Sequence, residues 1–232
     1  MKIVAIIPVR EGSKGLKNKN IKLINGIPLM AYTIKDAIKS KYIDKVFVST
    51  ESKKYSKIAN KYGALTPFLR PNKLSKDTST TEDVLAHFAQ YLQKDHNFEN
   101  RDILVYLQVT DLFRPKNIID QCIKLMINKP SLDTVFASQI THKNYWIKKN
   151  GKYKRLNNFN SLQYQPRQKK NIILREDTGI ACVSRLEYFA KGQRVGKNID
   201  IVPYDEFISS IDIHNQQDFK LAKIVNKFFK RI

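Results

Sequence analysis

The sequence predicts an α/β domain built on a doubly wound, mostly parallel sheet with a small additional arm. Two observations carry this. Short, unbroken apolar runs such as IVAII at 3–7 alternate with amphipathic stretches of about a dozen residues, the pattern of right-handed βαβ crossovers around a sheet buried on both faces. The first run also ends abruptly in a stretch rich in Gly and Lys, where such folds place their ligands.

The elements follow in order. IVAII reads as the first strand, and 28–40 as a helix with Met30, Ile34, Ala37 and Ile38 near one face. KVFVST at 45–50 is a second buried strand, and SKKYSKIANKYG a helix closed by Gly63. TSTTEDVLAHFAQYLQ opens with hydroxyls and acids, a helix start. DILVYLQVT at 102–110 is a third strand, Pro115 precedes a helix at 116–128, and TVFASQI at 134–140 is a fourth strand. The aromatic and basic stretch 141–178, with Tyr145 and Trp146, breaks the rhythm and reads as an insertion, a β-arm within one domain spanning 1–232. GIACVS at 179–184 and IDIVPY at 199–204 resume strand character, and a helix runs from Gln216 with Leu221, Ala222, Val225, Phe228 and Phe229 among lysines.

The chain has 42 Lys and Arg against 21 Asp and Glu, a net charge of +21, which points to an anionic partner. The basic residues are spread along the chain and the aromatic interleaving at 141–178 is irregular, so a nucleic-acid platform is the weaker reading. Cys122 and Cys182 lie in no CxxC or Cys/His metal spacing, which disfavours a disulfide framework or a zinc site. No apolar run reaches the roughly 18 residues of a membrane span, and the start is too short for a signal h-region. The expected location is a reducing cytoplasm.

The stretch IIPVREGSKGLKNKN at 6–20 lies beyond the carboxyl end of the first strand. Gly12 and Gly15 permit close backbone approach to an anion, and Arg10, Lys14, Lys17 and Lys19 are placed to surround a polyphosphate. The spacing is neither the Walker pattern nor GxGxxG, which disfavours a P-loop NTPase or a dinucleotide enzyme.

The same stretch resembles the signature of the acylneuraminate cytidylyltransferase family, keeping Arg10, Ser13, Lys14, Gly15, Lys19 and Asn20 at matching spacing. NGIPLMAYTIKDAIKS, IDKVFVST, FLRPNKLSKDTSTTEDV, YQPRQ and SIDIHNQQDFKLA resemble later landmarks, so the likeness covers essentially the whole chain. Ser-Lys-Gly stands where the related eight-carbon (Kdo) enzymes carry Ser-Thr-Arg, which favours the nine-carbon group.

The resemblance implies a Rossmann-like nucleotidyltransferase that joins CTP to a 2-keto-3-deoxy sugar acid and releases pyrophosphate. It implies that Arg10 and Lys14 hold triphosphate oxygens, with Ser13 and Gly15 in the same loop, and that Lys19 sits near the α-phosphate. Asn20 and Arg70 would fix the nucleoside, and Thr80 and Thr81 would touch the nucleotide, although capping explains those threonines equally well. Gln108, Arg167 and Arg175 would face the sugar, an Arg fork suiting its carboxylate. Asp212 would bind Mg²⁺, the expected cofactor, with His214 as a second candidate where the family carries a second Asp. The arm at 141–178 would form a homodimer. QVTDLFRP departs from the family's Q-P-T-S-P-L-R at Val109, Asp111, Leu112 and Phe113, which opens the identity of the sugar. The competing readings are a cytidylyltransferase for a Kdo-like acid, a degenerate sugar-nucleotide binder, and a non-enzymatic nucleic-acid-binding protein.

Overall fold

A computed structural model describes residues 1–156, 166–169 and 171–229. Along the chain come β1 (Ile3–Pro8), a small hairpin of β2 (Leu23–Ile24) and β3 (Ile27–Pro28), α1 (Leu29–Ile38), β4 (Lys45–Ser49), α2 (Lys53–Lys61) and α3 (Thr81–Asp95). Then follow β5 (Ile103–Tyr106), α4 (Ile118–Asn128), β6 (Thr134–Thr141), the hairpin β7 (Trp146–Lys149) and β8 (Lys152–Arg155), β9 (Ile173–Glu176), β10 (Cys182–Arg185), α5 (Leu186–Ala190), β11 (Ile199–Tyr204) and α6 (Gln216–Phe229).

The sheet order is β11-β6-β10-β5-β1-β4, with β9 also pairing β6. β1 pairs in parallel with β4 on one side and β5 on the other, so the chain reverses its direction of winding at β1. β11 runs parallel to β6, whereas β10 is antiparallel to both β5 and β6, and β9 is antiparallel to β6. The sheet is thus mixed but mostly parallel, as the sequence predicts.

The alternation of β1 divides the core. Ile3, Ala5 and Ile7 pack with residues of α1, α2, α4 and α6, while Val4 and Ile6 pack with Leu85 and Phe88 of α3 and with Leu186 and Phe189 of α5. Helices therefore cover both faces, which is why the central strands β1 and β5 are apolar throughout. Phe88 is 1% exposed, and truncating such a side chain costs about 3–5 kcal/mol.

Three boundaries differ from the expectation. The strand predicted at 102–110 ends at Tyr106, because Gln108 bonds the Gly179 carbonyl and turns the chain toward the next segment. The helix predicted from 116 starts at Ile118, after Asn117 adopts a left-handed φ of 59°. The stretch predicted at 179–184 contributes β10, which turns back antiparallel before the short helix α5. In the predicted arm, β7 and β8 pair as a hairpin and β9 returns to β6; 157–165 and 170 of that arm lie outside the described residues.

Candidate active site

The reversal at β1 opens a crevice beyond the carboxyl ends of β1 and β5, the position where such sheets bind ligands. A cleft of about 560 Å³ lies there. Arg10, Ser13, Lys14, Gly15, Lys19, Asn20, Arg70, Thr80, Thr81 and Gln108 all line it, together with His214. Residues scattered over 200 positions of sequence thus converge on one space.

The basic loop after β1 is held from below. Asn20 is buried and its Nδ2 donates to the Arg10 carbonyl at 2.9 Å. The Glu11 N–H donates to Glu51 Oε1 at 2.8 Å. Gly15 has no room for a side chain, since a Cβ there would run into the His214 carbonyl. Arg10 and Lys14 meet on the Asp77 carboxylate at 3.0 and 2.7 Å, and these two cations hold that carboxyl below the usual range. Lys19 is half-buried in a single 3-10 turn, Lys19–Ile21, and Nζ donates to the Ile213 carbonyl at 2.7 Å. Burial lowers its pKa, Asp212 pulls it back up, and Arg10 lowers it further.

The opposite wall is tied to the fold. Arg70 is 4% exposed and forms an ion pair with Glu51 at 2.9 Å while Nε donates to Ser75 Oγ at 3.0 Å. It is therefore a buried anchor rather than a surface bridge. Thr80 caps α3: its Oγ1 accepts the Asp83 N–H at 3.1 Å, and the Asp83 carboxylate accepts the Thr80 N–H at 2.9 Å. Its hydroxyl is committed to the helix start even though the residue borders the cleft. At the floor, Tyr106 donates to Gln108 Oε1 at 2.9 Å, and Gln108 Nε2 donates to Thr110 Oγ1 at 2.5 Å.

The third side is the segment before α6. Asp212 pairs with Asp111 in an isolated antiparallel bridge, and the Ile213 N–H donates to the Thr110 carbonyl at 3.2 Å. His214 Nε2 lies 2.8 Å from Asp212 Oδ2, so both side chains share one face. Asn215 and Asp218 then cap α6 reciprocally, with the Asp218 carboxylate also accepting the His214 N–H at 2.8 Å. Asp212 Oδ1 is buried without a hydrogen-bond partner. The Asp111 carboxyl is pushed up to about 7, mainly by burial, with Arg114 opposing and Asp212 and Asp177 reinforcing the rise.

Arg167 and Arg175 are placed elsewhere. They line a second pocket of about 650 Å³ beyond the end of β6, with Gln139, Thr141, Lys143 and Phe207. Arg175 forks onto Asp177, and Arg167 reaches Asp205 at 3.8 Å. One chain therefore does not bring them into the cleft with Lys19. Two arginines escaped any assigned role in the sequence. Arg114 is 3% exposed and donates to the carbonyls of Ile180, Gln108 and Gly179 and to Thr33 Oγ1, locking the loop after β5 against the β9–β10 connection. Arg194 lies over the Tyr106 ring at 4.7 Å and donates to Glu82 and Thr178. Arg114 does match the resemblance motif, but only its long-range partners reveal what it does.

A cationic cleft around the Asp77 carboxylate, at the reversal of a doubly wound sheet, lies where such folds take their ligands. The chain belongs to the cytidylyltransferase family, whose pattern it matches over residues 4–228. It is similar to an N-acylneuraminate cytidylyltransferase of Escherichia coli O18:K1:H7, 30% identical over 222 residues, which are 95% of this chain and 51% of that protein. It is also similar to a pseudaminic acid cytidylyltransferase of Campylobacter jejuni subsp. jejuni serotype O:23/36, 27% identical over 234 residues, 98% of this chain and 97% of that protein. The chain thus spans about half the length of the first relative and nearly all of the second. Among solved structures, a CMP:2-keto-3-deoxy-manno-octonic acid synthetase complexed with CTP superposes with a TM-score of 0.72 over 99% of this chain and 100% of that one, at 13% identity, a likeness of fold. Among the described residues no helix is long and apolar enough to cross a membrane.

Proposed function

We propose that the protein transfers CMP from CTP to the anomeric hydroxyl of a nonulosonic 2-keto-3-deoxy sugar acid of the sialic, legionaminic or pseudaminic type. The observation that carries this reading is the convergence of Arg10, Lys14 and Lys19 on one cleft with Gln108 and His214, the partner of Asp212, in a chain of this family. The sugar oxygen forms a bond to the α-phosphorus, the bond to the bridging oxygen of the pyrophosphate breaks, and the hydroxyl proton leaves to solvent or a cleft base. Arg10 and Lys14 would exchange Asp77 for triphosphate oxygens. Lys19, held beside the Ile213 carbonyl, would face the α-phosphate, where charge develops.

The residues fit Mg²⁺. Asp212 offers a buried oxygen with no other partner, and oxygen is the ligand this ion takes. Asp212 would hold it, and when bound it would neutralise phosphate charge. His214 is a poor ligand for this hard ion and would orient Asp212 through their 2.8 Å contact.

The hairpin β7–β8 and its neighbours expose Trp146, Tyr153, Ile172 and Phe207, the last 83% accessible. Such a patch fits a homodimer contact, which would bring a second copy's Arg167 and Arg175 pocket into play for the sugar. Light scattering tests this: a monomer at micromolar concentration would refute it.

The function is tested by pyrophosphate release from CTP and Mg²⁺ against a panel of 2-keto-3-deoxy sugar acids. Turnover is expected with nine-carbon acids and CTP together. Equal turnover with ATP or UTP would overturn the nucleotide assignment, and turnover with Kdo alone would move the substrate to the eight-carbon class.

A further inference from the structure

We propose that Asp111 supplies the second protein carboxylate of the cation site, facing Asp212 from a different segment of the chain. The proposal rests on the cytidylyltransferase reading above and adds a residue to it.

The bridge between Asp111 and Asp212 is the central observation. Residues directly opposite in an antiparallel pair put their side chains on the same face, with Cβ atoms about 4.5–5.5 Å apart, and like charges in such positions destabilise the pairing. Two opposed carboxylates therefore call for a counter-charge. Among the described residues, neither has a Lys or Arg ion-pair partner. Arg114, the cation acting most on Asp111, is spent on four protein oxygens and on Asp36. Lys19 gives its hydrogen bond to the carbonyl of Ile213, between Asp212 and His214.

Two further features mark the pair. Asp212 turns one oxygen to His214 and leaves the other, Oδ1, buried and unpartnered. The Asp111 carboxylate lies against the α-carbon of Gly179, in space that a Cβ there would fill, so this position of the carboxylate needs a glycine at 179. Gly179 is itself pinned, because its carbonyl accepts from Gln108 and Arg114.

The chemistry selects a hard cation. The free donors are carboxylate oxygens, and among the described residues no group of three or more His, Cys, Asp or Glu is placed to hold a metal alone. The ion would complete its shell with water and with the phosphate oxygens gathered by Arg10 and Lys14, the way Mg²⁺ commonly binds. In this chain the second acid then comes from the loop after β5, across the bridge, and not from two residues beyond Asp212, where His214 stands.

The test uses the full chain with saturating CTP and no sugar acid, and Mn²⁺ as the probe, its free concentration read by electron paramagnetic resonance. Asp111→Asn and Asp212→Asn are each expected to weaken Mn²⁺ binding by about tenfold or more, since even loss of an outer partner reaches that scale. CTP affinity in EDTA should be unchanged in Asp111→Asn. Adding His214→Asp to Asp111→Asn should recover metal affinity by restoring a carboxylate beside Asp212. Thermal melts in EDTA check folding, and Asp111→Asn should melt no lower than wild type, because it relieves a repulsion. Asp111→Ser must reproduce the loss if the carboxylate itself is the ligand. Wild-type Mn²⁺ affinity in both Asp111 variants, with loss only in Asp212→Asn, would overturn the proposal and leave the cytidylyltransferase reading standing. A wild-type protein that binds no CTP would overturn that reading and this proposal with it.

Discussion

Lys19 donates to the main-chain carbonyl of Ile213 at 2.7 Å, joining the basic loop after β1 to the segment that carries Asp212 and His214. The two are 194 residues apart in sequence. The contact fixes the ammonium group between the basic loop after β1 and a carboxylate, and so ties the two halves of the proposed chemistry to one position.

Lys19→Met keeps the apolar stem and removes the charge. Losing one preorganised donor to a developing phosphate charge costs roughly 10²–10³ in kcat. Pyrophosphate release at saturating CTP and sugar acid should show a drop of that size, with a largely retained melting temperature. A near wild-type kcat would place the charge stabilisation on another residue.

Asp77 gathers Arg10 and Lys14, yet its side chain is 48% accessible. Exposed pairs contribute little to stability. Asp77→Asn should therefore leave the urea midpoint almost unchanged. It should tighten CTP binding severalfold in calorimetry, because the triphosphate no longer competes with a carboxylate for the same two cations. Weaker binding would mean that Asp77 itself serves the ligand.

The sequence carried the parallel βαβ rhythm, the cationic loop and Asp212, because each is written in local pattern or in a contiguous motif. Direction was less legible. The apolar run of β10 looks like the others, and only its pairing with Tyr106 and Phe136 shows that it runs backward between β5 and β6. Arg70, expected at the nucleoside, does line the cleft, but its burial was not legible in RPNKL, because its partner Glu51 sits 19 residues earlier. Arg167 and Arg175 share a motif region with the sugar-facing expectation, yet the return of β9 along β6 carries Arg175 to a separate pocket. Asp111 stood out only as a departure from a pattern. Its opposition to Asp212 is a fact of pairing across about 100 residues, beyond any local signal.

Thr80 separates capping from ligand contact. Thr80→Ala removes the side-chain acceptor at the start of α3 and should cost about 1 kcal/mol in urea unfolding, whereas Thr80→Ser should cost little. Asp83 on the same cap has its carboxyl held below the usual value by the Thr80 backbone N–H and hydroxyl. Its contribution is present above the ordinary carboxylate pKa and is lost as pH falls through the lowered folded value. Asp83→Asn should accordingly flatten part of the acid limb of the stability curve. If Thr80→Ser is fully stable but loses CTP affinity, the methyl-bearing side chain also touches the nucleotide.

Gly15 gives the most direct test of how the cleft is assembled. Its α-carbon lies against the His214 carbonyl, and any Cβ would collide with that main-chain oxygen. A backbone oxygen cannot swing aside as a flexible side chain would. The His214 N–H is also held by Asp218 at 2.8 Å, and Asn215 and Asp218 lock the start of α6, so the segment has little freedom to retreat. The basic loop is the part that must move in Gly15→Ala. It would lift Lys14 from the cleft and strain the 2.7 Å contact of Lys19 with Ile213. Position matters steeply at such distances, since a displacement of about 1 Å can cost roughly 10²-fold in rate. Gly15→Ala should lose activity on that scale and bind CTP more weakly. The core is untouched, so the melting temperature should fall only slightly. Gly12→Ala is the control, because nothing lies within 4 Å of a Cβ at that position in the same loop. If both variants lose activity equally, the loop needs backbone freedom at each glycine. If neither does, the approach of Gly15 to His214 does not position the catalytic groups.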